Sequence, residues 1–104
     1  MLVADRVIVG DGKRVIEQGA VVLDGKRIRA VGTADELRRR FPEKEIRLEG
    51  CTLMPGMIDM HTHIGYYYGE KNADRLAEDR VLRAYFIGKR MEDTLKAGVT
   101  TIRD

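Results

Sequence analysis

The sequence predicts an α/β chain, with several short strands joined by tight turns in the first half and one parallel strand–helix–strand unit in the second. Three observations carry this. Short apolar runs separated by Gly, Asp and Pro fill residues 1–53, a helix-periodic apolar stripe runs from Ala84 to Leu95, and the β-branched run Val99-Thr100-Thr101-Ile102 follows it. The expected division is therefore 1–53 and 54–104.

The first strand contains Val7-Ile8-Val9 and stops at Gly10-Asp11-Gly12. Ala20-Val21-Val22-Leu23 runs into Asp24-Gly25, whose glycine readily takes positive φ, and Ile28 to Val31 returns as the partner of a hairpin. Thr33-Ala34-Asp35-Glu36 matches a capping box, in which the Thr33 hydroxyl accepts the Glu36 amide and the Glu36 carboxylate reaches back to the Thr33 amide. Leu37 and Phe41 share one face of the short helix that follows, and Pro42 ends it. Ile46 and Leu48 alternate with Arg47 and Glu49 in a further strand before Gly50.

From Cys51 the character changes. The single cysteine excludes an intrachain disulfide and, in the strand-like run Cys51-Thr52-Leu53-Met54, is expected to be a small buried hydrophobe. Leu53 to Met60 is nearly continuous apolar sequence broken by Pro55-Gly56, which suits a strand covered on both faces. Ala84, Ile87, Met91 and Leu95 recur at spacings of three and four as the buried stripe of a helix that begins between Asn72 and Glu78 and stops at Gly98. Strand, helix and strand in this order imply a right-handed parallel βαβ unit. A parallel pair without further neighbours leaves both edges open and gives one helix two faces to cover, so the segment reads as a piece of a larger sheet.

The chain has 104 residues, well short of the roughly 250 of a closed β/α barrel. Its 19 basic and 17 acidic side chains nearly balance. The basic run Arg38-Arg39-Arg40 sits beside Asp35, Glu36, Glu43 and Glu45 and reads as a solvated face, so a nucleic-acid partner is not expected. No stretch approaches the ~18 apolar residues of a membrane span, and Asp5 and Arg6 interrupt any signal-peptide core, so a cytoplasmic protein without a membrane partner is expected. The 35% charged fraction is compatible with the surface ion pairs of a heat-adapted protein and equally with ordinary drift.

Both histidines fall in one triplet, His61-Thr62-His63, directly after the apolar strand. On an extended backbone, residues two apart point the same way with Cα atoms about 6.6 Å apart, so two imidazoles can lean toward one cation at Zn–N distances of about 2.0–2.1 Å. The plain alternative is a hydrogen-bonded or surface pair. The position favours the first reading, because the end of a buried parallel strand is where such sheets gather active-site groups. Asp59 shares that strand face and either orients a ligand histidine, pairs with a charge on a neighbouring strand, or bonds backbone at the strand end. Tyr66, Tyr67 and Tyr68 follow in a loop where one ring could touch substrate while the others pack. Arg103 and Asp104 lie at the matching end of the second strand on opposite faces, so at most one points inward.

The run Met54-Pro55-Gly56-Met57-Ile58-Asp59-Met60-His61-Thr62-His63 resembles the amidohydrolase superfamily motif P-G-hydrophobic-I-D-x-H-x-H. Leu95 to Asp104 is similar to the L-x-x-G-V-T-T-hydrophobic-R-D stretch of its imidazolonepropionase-like branch, and Asp24 to Gly32 resembles a hairpin of the small β-sandwich beside its barrel. The resemblance implies amino-terminal sandwich strands over 1–53, followed by the first β-α-β unit of a truncated TIM-type (β/α)8 barrel. It implies a metal-dependent hydrolase of small molecules, with His61 and His63 as ligands to one or two divalent ions, most plausibly zinc. Zinc lowers the pKa of bound water from 15.7 to about 7, suited to attack on the C–N bond of an amide, lactam or cyclic substrate, or to deamination.

The family's remaining ligands, a lysine or glutamate, two further histidines and an aspartate that serves as base, have no counterpart in these 104 residues. The chain therefore reads as an amino-terminal fragment with no catalytic residue of its own, inactive alone, and dependent on the missing barrel or on oligomerisation. The competing reading is a non-catalytic module that self-associates through its open sheet edges.

Overall fold

The computed structural model describes residues 1–42, 44–66 and 73–104. It divides into units Met1–Pro55 and Gly56–Asp104.

In the first unit, β1 (Leu2–Ile8) pairs antiparallel with β2 (Val15–Asp24) and parallel with β4 (Ile46–Leu53), and β3 (Arg27–Thr33) pairs antiparallel with β2, so the sheet order is β3-β2-β1-β4. Asp24 lies opposite Arg27 across the hairpin turn, where Gly25 takes φ +56°. Helix α1 (Ala34–Arg40) starts as the capping signal predicts, with the Thr33 hydroxyl accepting the Glu36 N–H at 3.3 Å; the Glu36 carboxylate pairs with Arg40 at 3.4 Å. Leu37 and Ala34 bury themselves on Met1, Val3, Ala20 and Val22, with Phe41 packed against the edge of this cluster. The arginine run is offset as expected, because Arg38 bonds Glu45 at 2.7 Å and Asp35 at 2.9 Å. That guanidinium holds the Glu45 carboxyl below its ordinary pKa.

Two expectations change here. β4 continues through Gly50 instead of ending before it, because a bulge absorbs the glycine: residues 49–51 face Asp5 alone, Gly50 takes φ +67°, and its N–H donates to the Asp5 carboxylate at 3.0 Å. Opposite Asp5 on the other side, Gln18 takes φ +47°, so the irregularity crosses three strands at one level. Cys51 is exposed, not buried, because it sits in this bulge on an edge strand. The sheet face away from α1 is also apolar and lines an open cavity of about 210 Å³ that includes Leu2, Val21, Leu23, Val31 and Leu53.

In the second unit, β5 (Met57–Asp59) and β6 (Val99–Ile102) form the expected parallel pair, connected through α2 (Ala73–Glu78) and α3 (Arg80–Lys96). The single helix expected between them is two, because Asp79 caps α3 by accepting the Val81 and Leu82 N–H groups, each at 3.0 Å. Gly98, at φ +92°, follows the helix end as predicted. The predicted burial is not met: Ile58 is 63% exposed, Met91 53% and Leu95 61%. Two short strands offer too little surface to cover one helix stripe, and among the described residues of this unit nothing covers their far face. Leu76 of α2, at 1% exposure, is the buried anchor among the described residues of this unit. Among the described residues, no helix is long and apolar enough to cross a membrane.

Leu37→Ala removes the apolar centre of the first unit and is expected to destabilise it by about 2–5 kcal/mol, read from urea unfolding. Asp11 organises the turn after β1 by accepting the Lys13 N–H at 3.0 Å, the Arg14 N–H at 2.8 Å and the Arg14 side chain. The Arg14 side chain, then these backbone donors, hold its carboxyl well below the usual carboxylate range. Because that folded pKa is depressed, the stabilisation is complete above the unfolded value of about 3.9 and is lost as pH falls through the folded value. Asp11→Asn is therefore expected to lower the urea midpoint above about pH 5 and to converge with the parent in strong acid.

Candidate metal centre

The site is built where β5 and β6 end side by side. The Arg103 N–H donates to the Asp59 carbonyl at 2.8 Å and the Thr62 N–H donates to the Arg103 carbonyl at 3.0 Å, which carries the strand ladder past the last regular residue of β5. Thr62 is thereby tied to the neighbouring strand, and His61 and His63 on either side of it project together. Their Nε2 atoms approach to 3.1 Å, with ring centroids 4.9 Å apart and ring planes at 89°.

That spacing fits a shared cation. Two ligands on a tetrahedral ion with bonds of 2.0–2.1 Å are about 3.3 Å apart. Without a cation, the same approach is one hydrogen bond between neutral imidazoles, with donor and acceptor set by the tautomers. Among the described residues no group of three His, Cys, Asp or Glu side chains converges, so the pair is part of a ligand set and not a whole one.

Asp59 accepts the backbone N–H of His61 at 3.0 Å, which is the strand-end arrangement among the roles open to it. Tyr66 donates its N–H to the His63 carbonyl at 3.1 Å and places its ring 4.7 Å from the His63 ring, tilted by 46°. Tyr67 and Tyr68 lie outside the described residues. Arg103 and Asp104 border, with Met60, His61, Thr62 and His63, a polar cavity of about 220 Å³. Asp104 also accepts the Ile64 N–H at 3.2 Å. The sequence reasoning missed Arg90 of α3, which donates to the Ile64 carbonyl at 3.0 Å and to the Tyr66 carbonyl. A signal was available: Arg90 lies three residues after Ile87, on the apolar side of the helix, where a cation needs acceptors.

Gly56 lets β5 approach β6, since a Cβ there would lie 2.1 Å from the Thr100 Oγ1 and 2.7 Å from the Thr100 Cβ. Gly56→Ala is expected to push the strands apart at the cost of about 1–3 kcal/mol, typical of overpacking, and to speed amide exchange at Met57, Thr62 and Arg103.

Residues 19–43 match a family profile described as the imidazolonepropionase-like composite domain of bacteria. An imidazolonepropionase of Chloroflexus aggregans is 47% identical over 53 residues, which cover 50% of this chain and 12% of that protein. Another from Parabacteroides distasonis is 35% identical over 88 residues, covering 80% of this chain and 21% of that protein. The chain thus spans between 12% and 21% of the length of these relatives. Among solved structures, the A. niger ochratoxinase superposes with a TM-score of 0.78 at 24% identity, covering 99% of this chain and 24% of that one. Together with the motif at residues 54–63, these matches make the chain similar to the amino-terminal part of imidazolonepropionase-like amidohydrolases.

Proposed function

We propose that the whole protein is a metal-dependent hydrolase of a C–N bond in an amide, lactam or cyclic small molecule, and that His61 and His63 supply two of the ligands to its cation, for which zinc is the best candidate. The observation that carries the reading is the convergence of the two Nε2 atoms to 3.1 Å beyond the paired ends of β5 and β6. A divalent cation held there would act as a Lewis acid toward the substrate and lower the pKa of water. This chain's own contribution is positional. Asp59 fixes the His61 backbone, the Arg103 carbonyl fixes Thr62, and the Tyr66 ring lies against His63. Arg103 and Asp104 line a cavity with the pair and are the candidates to meet substrate, and Tyr66 borders a neighbouring cavity with Asp104.

The architecture follows the same reading. The outer edges of β5 and β6, unpaired among the described residues, and the exposed stripe of α3 suit the first β-α-β unit of a barrel whose other strands lie elsewhere in the whole protein. The second apolar face of the four-stranded sheet suits a sandwich partner from the same source.

In the full-length protein, His61→Ala and His63→Ala are each expected to cut zinc retention and hydrolysis of cyclic and linear amides by about 100-fold or more, since ligand loss exceeds the 10- to 100-fold cost of losing an outer partner. A double variant that keeps its zinc and its activity would overturn the proposal.

A further inference from the structure

We infer that Arg90 is a positioning residue for the histidine pair: from α3 it pins the turn after His63 and so keeps the His63 imidazole turned toward His61. Its Nη1 donates to the Ile64 carbonyl at 3.0 Å and to the Tyr66 carbonyl, and these two acceptors lie within the turn closed by the Tyr66 N–H on the His63 carbonyl at 3.1 Å. From the other side, Asp104 at the end of β6 takes the Ile64 N–H at 3.2 Å. The turn is thus held by a cation on its carbonyls and a carboxylate on its amide, from two different elements.

The rings transmit this to the site. The His63 ring contacts the Tyr66 ring at 4.7 Å and the His61 ring at 4.9 Å, so its two aromatic neighbours restrict its rotation. The bond from Arg90 to the Tyr66 carbonyl restrains the Tyr66 backbone, and with it the ring, in addition to the Tyr66 N–H bond to the His63 carbonyl. A guanidinium suits the task, because its rigid planar donors can serve two carbonyls at once, whereas a lysine ammonium is a point charge on a flexible stem.

The inference rests on the cation-site reading for its consequence, but the placement of His63 can be tested apart from it. In the full-length protein, histidine ring resonances of the metal-free form and its Co²⁺ titration would be compared among the parent, Arg90→Ala, Arg90→Lys and, as a control, Lys89→Ala, whose side chain pairs with Glu92 and Asp93 along the helix. Arg90→Ala is expected to shift the His63 ring resonances and weaken Co²⁺ binding by about 10- to 100-fold, as loss of an outer partner does. Arg90→Lys should recover part of both, and Lys89→Ala should change neither. A folded Arg90→Ala protein with unaltered His63 resonances and Co²⁺ affinity overturns the inference. If Arg90→Ala does not fold, an Arg90→Lys protein indistinguishable from the parent in both measurements overturns it. Should the parent take up no Co²⁺ while Arg90→Ala still shifts the His63 ring, the positioning role stands and the cation reading fails.

Discussion

The pairing of β5 with β6 beyond their regular ends governs the candidate site. An isolated His-x-His on a free backbone has no reason to converge, because each residue samples its own φ and ψ and each ring its own rotamers. Here the carbonyl of Asp59 and the amide of Thr62 both engage Arg103, so the backbone between them is held from a separate strand. The alternation of an extended chain then places residues 61 and 63 together. The glycine at 56 permits the close approach, and the Asp59 carboxylate removes the remaining freedom of the His61 amide. Each contact is modest by itself, about 0.5–1.5 kcal/mol for a hydrogen bond, so the geometry depends on their cooperation.

The two units share a feature that bears on how the chain is used. Each has organised backbone pairing and incomplete apolar cover. In the first, α1 closes one face of the sheet around Leu37 while the opposite face stays open. In the second, the stripe of α3 and the side chains of β5 remain largely exposed. Sheets that are apolar on two faces belong inside layered folds. The short share of its relatives' length that the chain spans is in keeping with that.

Charge plays a local part. Arg38 between Asp35 and Glu45, Arg14 on Asp11, and Lys89 beside Asp93 each neutralise a neighbour within a few residues or across one turn. These pairs are exposed and individually weak, and their effect is to dress helices and turns rather than to build a field. Arg90 differs in kind, because it is half-buried and spends its donors on carbonyls of the turn that follows the histidines.

Much of this was written in local patterns. The hairpin at Asp24-Gly25, the Thr33 cap, the stop at Gly98 and the parallel strand–helix–strand order all follow from short-range stereochemistry, in which a residue's own backbone preference and its near neighbours decide the outcome. The histidine pair was legible for the same reason, since spacing along an extended chain sets which way side chains face. The bulge that carries β4 through Gly50 and exposes Cys51, the break at Asp79, and the bare stripe of α3 were not legible, because each depends on which strand lies alongside and how much surface it offers. Arg90 marks that boundary most clearly: its place on the helix could be read from the residue string, whereas the carbonyls it binds lie 24 and 26 residues away and meet it only once the chain has closed on itself.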